Sequence, residues 1–213
     1  MSSTIKIEQP KIPKILPSAD FHEMEDRYSN LCKIENCSIT DEEMERICFD
    51  QVVFENVTFM NVTFRKIALT DVRLIRCNLS NADFCDAILH RVEFIESKIV
   101  GLNLADSTMR NVMFQECNAN LSTYGYADMK QVAFHECSLR GTDFYETKLN
   151  KVSFHNTDLN EANFEGAPLN GIDLSTCTFD ELNVSHDLLK GCTVSPEQAI
   201  GFARLLGLVI KDE

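Results

Sequence analysis

Residues 77–94 read CNLSNADFCDAILHRVEF, and the large apolar side chains Leu79, Phe84, Leu89 and Phe94 stand five positions apart. The spacing continues outward in both directions without an insertion. Upstream it runs through Leu74, Leu69, Phe64, Phe59 and Phe54 to Phe49; downstream it passes Ile99, Leu104, Met109 and Phe114 and ends at Val184. Ala119 is the one small residue in this series of centres. Neither a helix, with 3.6 residues per turn, nor a strand, with a period of two, produces such a series. A fixed short period sustained over most of a chain marks a repeat architecture.

A second column sits two residues before each centre and holds small or β-branched residues, among them Val57, Val62, Ala82, Ala87, Ser107, Ser122, Ala127, Thr157 and Ala162. Every fourth repeat brings back the same type. Val52, Val72, Val92, Val112, Val132, Val152 and Ile172 form one column, and Cys37, Cys77, Cys117, Cys137 and Cys177 fall in another, broken by Val57, Ser97 and Thr157. A period of twenty laid over a period of five describes a four-sided coil with one pentapeptide per side. Stacked at the inter-strand spacing of about 4.8 Å, such coils form an all-β solenoid. Its predicted core is Phe54, Phe64, Phe84, Phe94, Phe114, Phe134, Phe144, Phe154 and Phe164, with rings close enough to stack. The expected division is an arm and cap over residues 1–33, a β-helix of about eight coils over 34–193, and a helix with a dimerisation tail over 194–213.

Ala82-Asp83-Phe84-Cys85-Asp86, Ala127-Asp128-Met129 and Ala162-Asn163-Phe164-Glu165-Gly166 resemble the A(D/N)LXX repeat of pentapeptide-repeat proteins. That resemblance implies a right-handed quadrilateral β-helix with short helical caps. Within the family the chain is most similar to the Qnr and mycobacterial fluoroquinolone-resistance proteins. The similarity rests on the acidic coils, a polar amino-terminal segment, and the ending Val194-Ser195-Pro196-Glu197-Gln198-Ala199-Ile200 followed by Leu205-Leu206-Gly207-Leu208-Val209-Ile210. It implies DNA gyrase or topoisomerase IV as the partner, met by a DNA mimic that modulates the enzyme or protects it from quinolones. Some Qnr-like proteins extrude loops from their coils. The unbroken register here resembles the loopless members, so protection would have to come from the body or the ends.

Catalytic chemistry has little to stand on. The five histidines, His22, His90, His135, His155 and His186, are dispersed, and only His135 and His155 share a column. No phosphate-cradling loop, nucleophile elbow or HExxH is present. Neither an enzyme, a cofactor nor a metal is expected. Seven of the nine cysteines (Cys32, Cys37, Cys77, Cys117, Cys137, Cys177 and Cys192) occupy the small inward column, where a thiol packs. The longest apolar run is too short to span a bilayer, and no secretory pattern opens the sequence, which leads us to expect a cytoplasmic protein.

Charge is segregated. The chain carries 33 acidic and 20 basic residues, a net charge of −13. In the coil register Glu96, Glu116 and Glu136 stack on one edge, while Asp86, Asp106 and Glu146 share another with Tyr126 between them. Glu161 and Glu181 extend a third edge, and His90, Arg91, Arg110, Lys130, Lys151 and Lys190 gather on the fourth. Stacked carboxylates repel, and a rod bearing them imitates a sparse duplex. The acidic edges are therefore the candidate partner-binding surface, addressed to a protein and not to nucleic acid or membrane. The alternative is a structural scaffold that uses the same rod for an unrelated partner.

The ends have their own logic. Pro10, Pro13 and Pro17 predict an extended, mobile arm, and residues 18–31 a short helix over the first coil. At the other end Ser195, Pro196 and Gln198 form a capping-box pattern. The apolar set Ile200, Phe202, Leu205, Leu206, Leu208 and Val209 then exceeds what a cap needs and predicts a homodimer through this end.

Overall fold

In the computed structural model, which describes residues 5–24, 26–205 and 208–209, the chain winds into a rod of about eight coils. All strand pairs are parallel. Val72 aligns with Val92, Val92 with Val112, Val112 with Val132 and Val132 with Val152, each a step of twenty residues. In the first coils each side is a separate three-residue strand, such as Val53–Glu55 and Thr63–Arg65. Later, two adjoining sides fuse into eight-residue strands: Ala68–Ile75, Ile88–Ile95, Thr108–Gln115, Asp128–His135 and Lys148–His155. This is the right-handed quadrilateral β-helix that the family resemblance implies, with the four sides that the repeat predicts.

The interior follows the two inward columns. Each of the nine predicted core phenylalanines is at most 3% exposed. Phe94, Phe114, Phe134 and Phe154 form one column with centroids 4.7, 4.7 and 5.2 Å apart and nearly parallel rings. Tyr124, Phe144 and Phe164 form a second, at 5.1 and 4.8 Å. The columns meet edge-on, Phe134 to Phe144 at 5.9 Å and Phe154 to Phe164 at 5.8 Å, the arrangement that ring quadrupoles favour.

The pentapeptide spacing leaves open how the chain turns. The residue two after a centre lies in the left-handed region, as at Asn56 (φ 53°), Asp86 (φ 61°), Glu116 (φ 52°) and Gly166 (φ 72°). At two of the four corners the centre's carbonyl accepts the N–H three residues on, for example Leu79 from Ala82 at 3.1 Å and Phe84 from Ala87 at 3.2 Å. With positive φ at the third residue, these are type II turns.

After Phe94, Phe114, Phe134 and Phe154 a side chain one coil further on takes the carbonyl instead. Cys117 Sγ donates to the Phe94 carbonyl at 3.4 Å, Cys137 Sγ to Phe114 at 3.4 Å, Thr157 Oγ1 to Phe134 at 3.3 Å and Cys177 Sγ to Phe154 at 3.6 Å. Ser97 Oγ does the same for Leu74 at 3.2 Å, and Cys77 Sγ for Phe54 at 3.6 Å. From Cys77 onward the column alternates among cysteine, serine and threonine, each a small side chain with a proton to give, whereas Val57 one coil earlier has none. Burial pushes the Cys77 thiol up to about 11 and the Cys177 thiol up to about 12, so both keep that proton at neutral pH. Cys37, in the first coil, is the exception: it is exposed.

We expect Cys137→Ala to lower stability by about 1–3 kcal/mol by stripping the buried Phe114 carbonyl of a donor. Cys137→Ser keeps the donor and should lose distinctly less. Equal losses in urea unfolding would show that the column only fills space.

The amino-terminal arm corrects the expectation of a mobile segment. It lies extended along the corner formed by Gln51, Asp71, Arg91, Asn111 and Gln131. Lys11 N donates to Asp71 Oδ1 (2.8 Å) and Glu8 N to Asn111 Oδ1 (3.0 Å). Gln51 Nε2 donates to the Lys11 carbonyl (2.6 Å) and Gln131 Nε2 to the Lys6 carbonyl (2.9 Å). The match is geometric: three extended residues cover about 10 Å, nearly the rise of two coils. Pro10 is buried against the rod.

At this end the helix expected over residues 18–31 shrinks to one 3-10 turn, Phe21–Glu23. Tyr28–Asn30 is already a strand paired with Cys48–Asp50, so coil pairing starts ahead of residue 34. Phe21 closes the interior by stacking on Phe64 at 5.9 Å.

At the far end the helix Pro196–Leu205 opens with the reciprocal capping box: Ser195 N donates to Gln198 Oε1 (2.8 Å) and Gln198 N to Ser195 Oγ (3.2 Å). Gln198 Nε2 also donates to the carbonyls of Leu174 and Cys177, both at 2.8 Å, which ties the helix to the last coils.

Candidate functional site

Left-handed corners point their side chains away from the core, so a carboxylate placed there faces water unless a neighbouring segment covers it, as Arg91 and the arm do at Asp71. Glu96 (φ 48°), Glu116 (φ 52°) and Glu136 (φ 54°) occupy successive corners of one column, and Asp86 (φ 61°), Asp106 (φ 59°) and Glu146 (φ 50°) belong to another. All six are exposed. With coils about 4.8 Å apart, the first column is an unbroken ladder of like charge that the backbone does not let spread, and the second is one interrupted by Tyr126.

The cations of the chain do not relieve these ladders. Arg65 pairs with Asp83, Arg73 with Glu93, Arg110 with Asp128 and Arg140 with Asp158, while Lys33 bridges Glu35 and Glu55. Among the described residues no lysine or arginine forms a salt bridge with any of the six corner carboxylates. Glu136 has only His135 Nδ1 at 4.0 Å, and Glu116 only the Gln115 amide at 3.2 Å. Lys66 and Arg76 stand one coil before Asp86 and Glu96 in these same columns, but they reach back to Glu45 and Glu55 and leave the six carboxylates without a cationic partner among the described residues.

The edge expected to be basic is neutralised in part: Arg91 and Arg110 are paired, whereas Lys130, Lys151 and Lys190 form no salt bridge among the described residues. Arg91 forms a forked pair with Asp71, Nε–Oδ1 and Nη2–Oδ2 both 2.6 Å, and Arg110 reaches Asp128 at 2.8 Å. Burial, the largest single influence, raises the Asp71 carboxyl, but the Arg91 guanidinium and the Lys11 amide together outweigh it and hold the group below the usual range. Sequence reasoning placed Arg91 on this edge but missed Asp71, which sits one coil away in the same corner column; that register was its available signal.

His135 and His155 stack with ring centroids 5.0 Å apart, yet among the described residues no group of three or more metal-ligating side chains converges. No helix among the described residues is long and apolar enough to cross a membrane. In the expected dimer surface, Ile200, Leu208 and Val209 are exposed, whereas Phe202 turns onto Phe179 of the same chain at 5.6 Å. Leu206 and the side chain of Leu205 lie outside the described residues.

A parallel four-sided rod with one pentapeptide per side defines a pentapeptide-repeat β-helix. The family model described as "Pentapeptide repeat region" matches residues 67–139 and 127–196, and the chain belongs to that family. It is 47% identical over 208 residues to the uncharacterized protein YisX of Bacillus subtilis (strain 168), covering 97% of this chain and 98% of that one. Among solved structures it is similar to QnrB1, a plasmid-mediated fluoroquinolone resistance protein, with 15% identity, TM-score 0.45, and 84% of this chain and 100% of that one covered. A second is HetL of Nostoc sp. strain PCC 7120, a pentapeptide-repeat protein involved in heterocyst differentiation regulation. There the identity is 17%, the TM-score 0.32, and the coverage 79% and 85%.

Proposed function

We propose that this protein is a DNA mimic that binds the basic DNA-gate surface of type II topoisomerases, DNA gyrase foremost and topoisomerase IV with it. In that role it acts in the cytoplasm and modulates the enzyme or shields it from quinolones. The observation that carries this reading is the pair of carboxylate ladders left without cationic partners while arginines elsewhere on the rod are paired. A surface evolved to neutralise phosphates attracts such an edge, and the attraction is screened by salt. The exposed Ile200, Leu208 and Val209 support a homodimer that would double the length of the acidic edges.

The test is titration of the protein into a gyrase supercoiling assay with and without a fluoroquinolone, beside the variant E96K/E116K/E136K. The parent should bind with an affinity that falls steeply between low and physiological salt. The variant should bind at least about tenfold more weakly while keeping its unfolding midpoint, since corner side chains lie outside the core. Unchanged affinity would remove this edge from the mechanism. An affinity insensitive to salt would favour the scaffold reading.

A further inference from the structure

One coil in the middle of the rod departs from the corner rule. From Leu31 to Gly171 the left-handed corners carry charged, amide or glycine residues, except at Leu31 itself (φ 50°), at the start of the rod, and at Leu121 (φ 59°) and Tyr126 (φ 61°). Leu121 and Tyr126 are successive corners of a single coil, the two ends of one of its sides. Bulky side chains resist a left-handed backbone, and such strain persists where something offsets it. Burial does not: Leu121 is 68% and Tyr126 54% exposed.

The surroundings of both residues are open. In its corner column Leu121 stands between Gly101 and Gly141, and it leans over the latter, whose added Cβ would lie 2.9 Å from Leu121 Cδ2. Tyr126 stands between Asp106 and Glu146, and its ring meets Tyr145 edge-on at 5.4 Å. Gly125, on the side between the two corners, has an ordinary backbone and room for a Cβ, with the nearest atoms 3.7 Å away. Sterics therefore do not demand a glycine there, and its presence keeps that side low between two projecting apolar groups.

We propose that the side from Leu121 to Tyr126, with Tyr145 on the next coil, is the centre of contact with a basic protein surface. This rests on the DNA-mimic reading and adds a location and a chemistry that duplex DNA does not share. Leu121 enters an apolar recess of the partner. The exposed tyrosine faces stack on an arginine or lysine, and Asp106 and Glu146 pair with cations around it. Tightly bound interfaces have this plan, a few large or aromatic side chains inside a polar ring. The flanking carboxylates steer the encounter, and the apolar centre slows dissociation.

The experiment compares the full-length parent with L121N/Y126N for binding to purified gyrase at one fixed salt concentration, alongside thermal melting of each. Asparagine is the residue that left-handed corners tolerate, so the variant should melt at the same or a higher temperature. Its affinity for gyrase should fall tenfold or more. Unchanged affinity would overturn this inference and leave the DNA-mimic reading standing. Weaker binding that tracks a lower melting temperature would overturn it as well, by assigning the loss to the fold. If the parent itself does not bind gyrase, the functional reading fails and this inference fails with it.

Discussion

Phe134→Ala is expected to cost about 3–5 kcal/mol. The Phe134 side chain is fully buried and touches four other rings. It stacks on Phe114 at 4.7 Å and Phe154 at 5.2 Å, and it meets Tyr124 and Phe144 edge-on at 5.7 and 5.9 Å. Aromatic pairs contribute about 0.5–1.5 kcal/mol each beyond their area. Collapse into the void is resisted, because hydrogen bonds between coils fix the spacing of the walls. In a solenoid each coil contacts only its neighbours, so the loss falls on the middle of the rod. Urea unfolding should show a lowered midpoint, and a second transition if the two halves part. A loss below about 1 kcal/mol would mean that the stacked column does not hold the centre together.

The second large effect is expected at a surface corner. Asp71→Ala should destabilise by about 3–5 kcal/mol, because it leaves the Arg91 guanidinium buried beside no counter-charge. The side chains of the pair are only 7% and 13% exposed, which separates it from the other ion pairs of this rod. The same carboxylate accepts the Lys11 amide, so the variant should also release the arm. Trypsin cleavage at Lys6, Lys11 or Lys14 then becomes faster than in the parent, and this readout does not depend on global stability.

The pair also sets a pH dependence. The folded-state pKa of Asp71 is lowered, so below the ordinary aspartate value of about 3.9 protons bind the unfolded chain first. The pair's contribution is complete above that value and is lost as pH falls through the folded-state one. Asp71→Ala should therefore flatten the acid limb of the stability profile. An identical acid limb in parent and variant would show that other carboxylates carry it.

The interior of this protein is legible from one sequence because the coil register is arithmetic. A centre every five residues and a matching type every twenty describe four sides and the register in which they stack, though not the hand of the coil. The phenylalanine columns, the inward cysteines and the exposed acidic corners all follow from counting. The capping box at Ser195 and Gln198 is legible for a related reason: its partners are three residues apart, and local hydrogen bonding decides it.

Contacts without a fixed period were not legible. The arm carries three prolines and no repeat, so nothing in its sequence says that Asp71 and Asn111 reach its amides across 60 and 103 residues. Phe202 looks like dimer surface from its place on the helix, yet the angle at which that helix meets the last coil turns it onto Phe179. Side-chain donors to the centre carbonyls were likewise hidden, since small inward residues satisfy the pattern whether or not they carry a proton. The sequence by itself determined the coil, its core and which residues stand at its corners, because these depend on covalent spacing and on burying one stripe of apolar side chains. Only the tertiary structure decided that the corners are left-handed, that arginines are spent on other carboxylates, and that the arm lies along one edge. Those outcomes depend on distances between segments remote in sequence, and spacing along the chain carries no record of them.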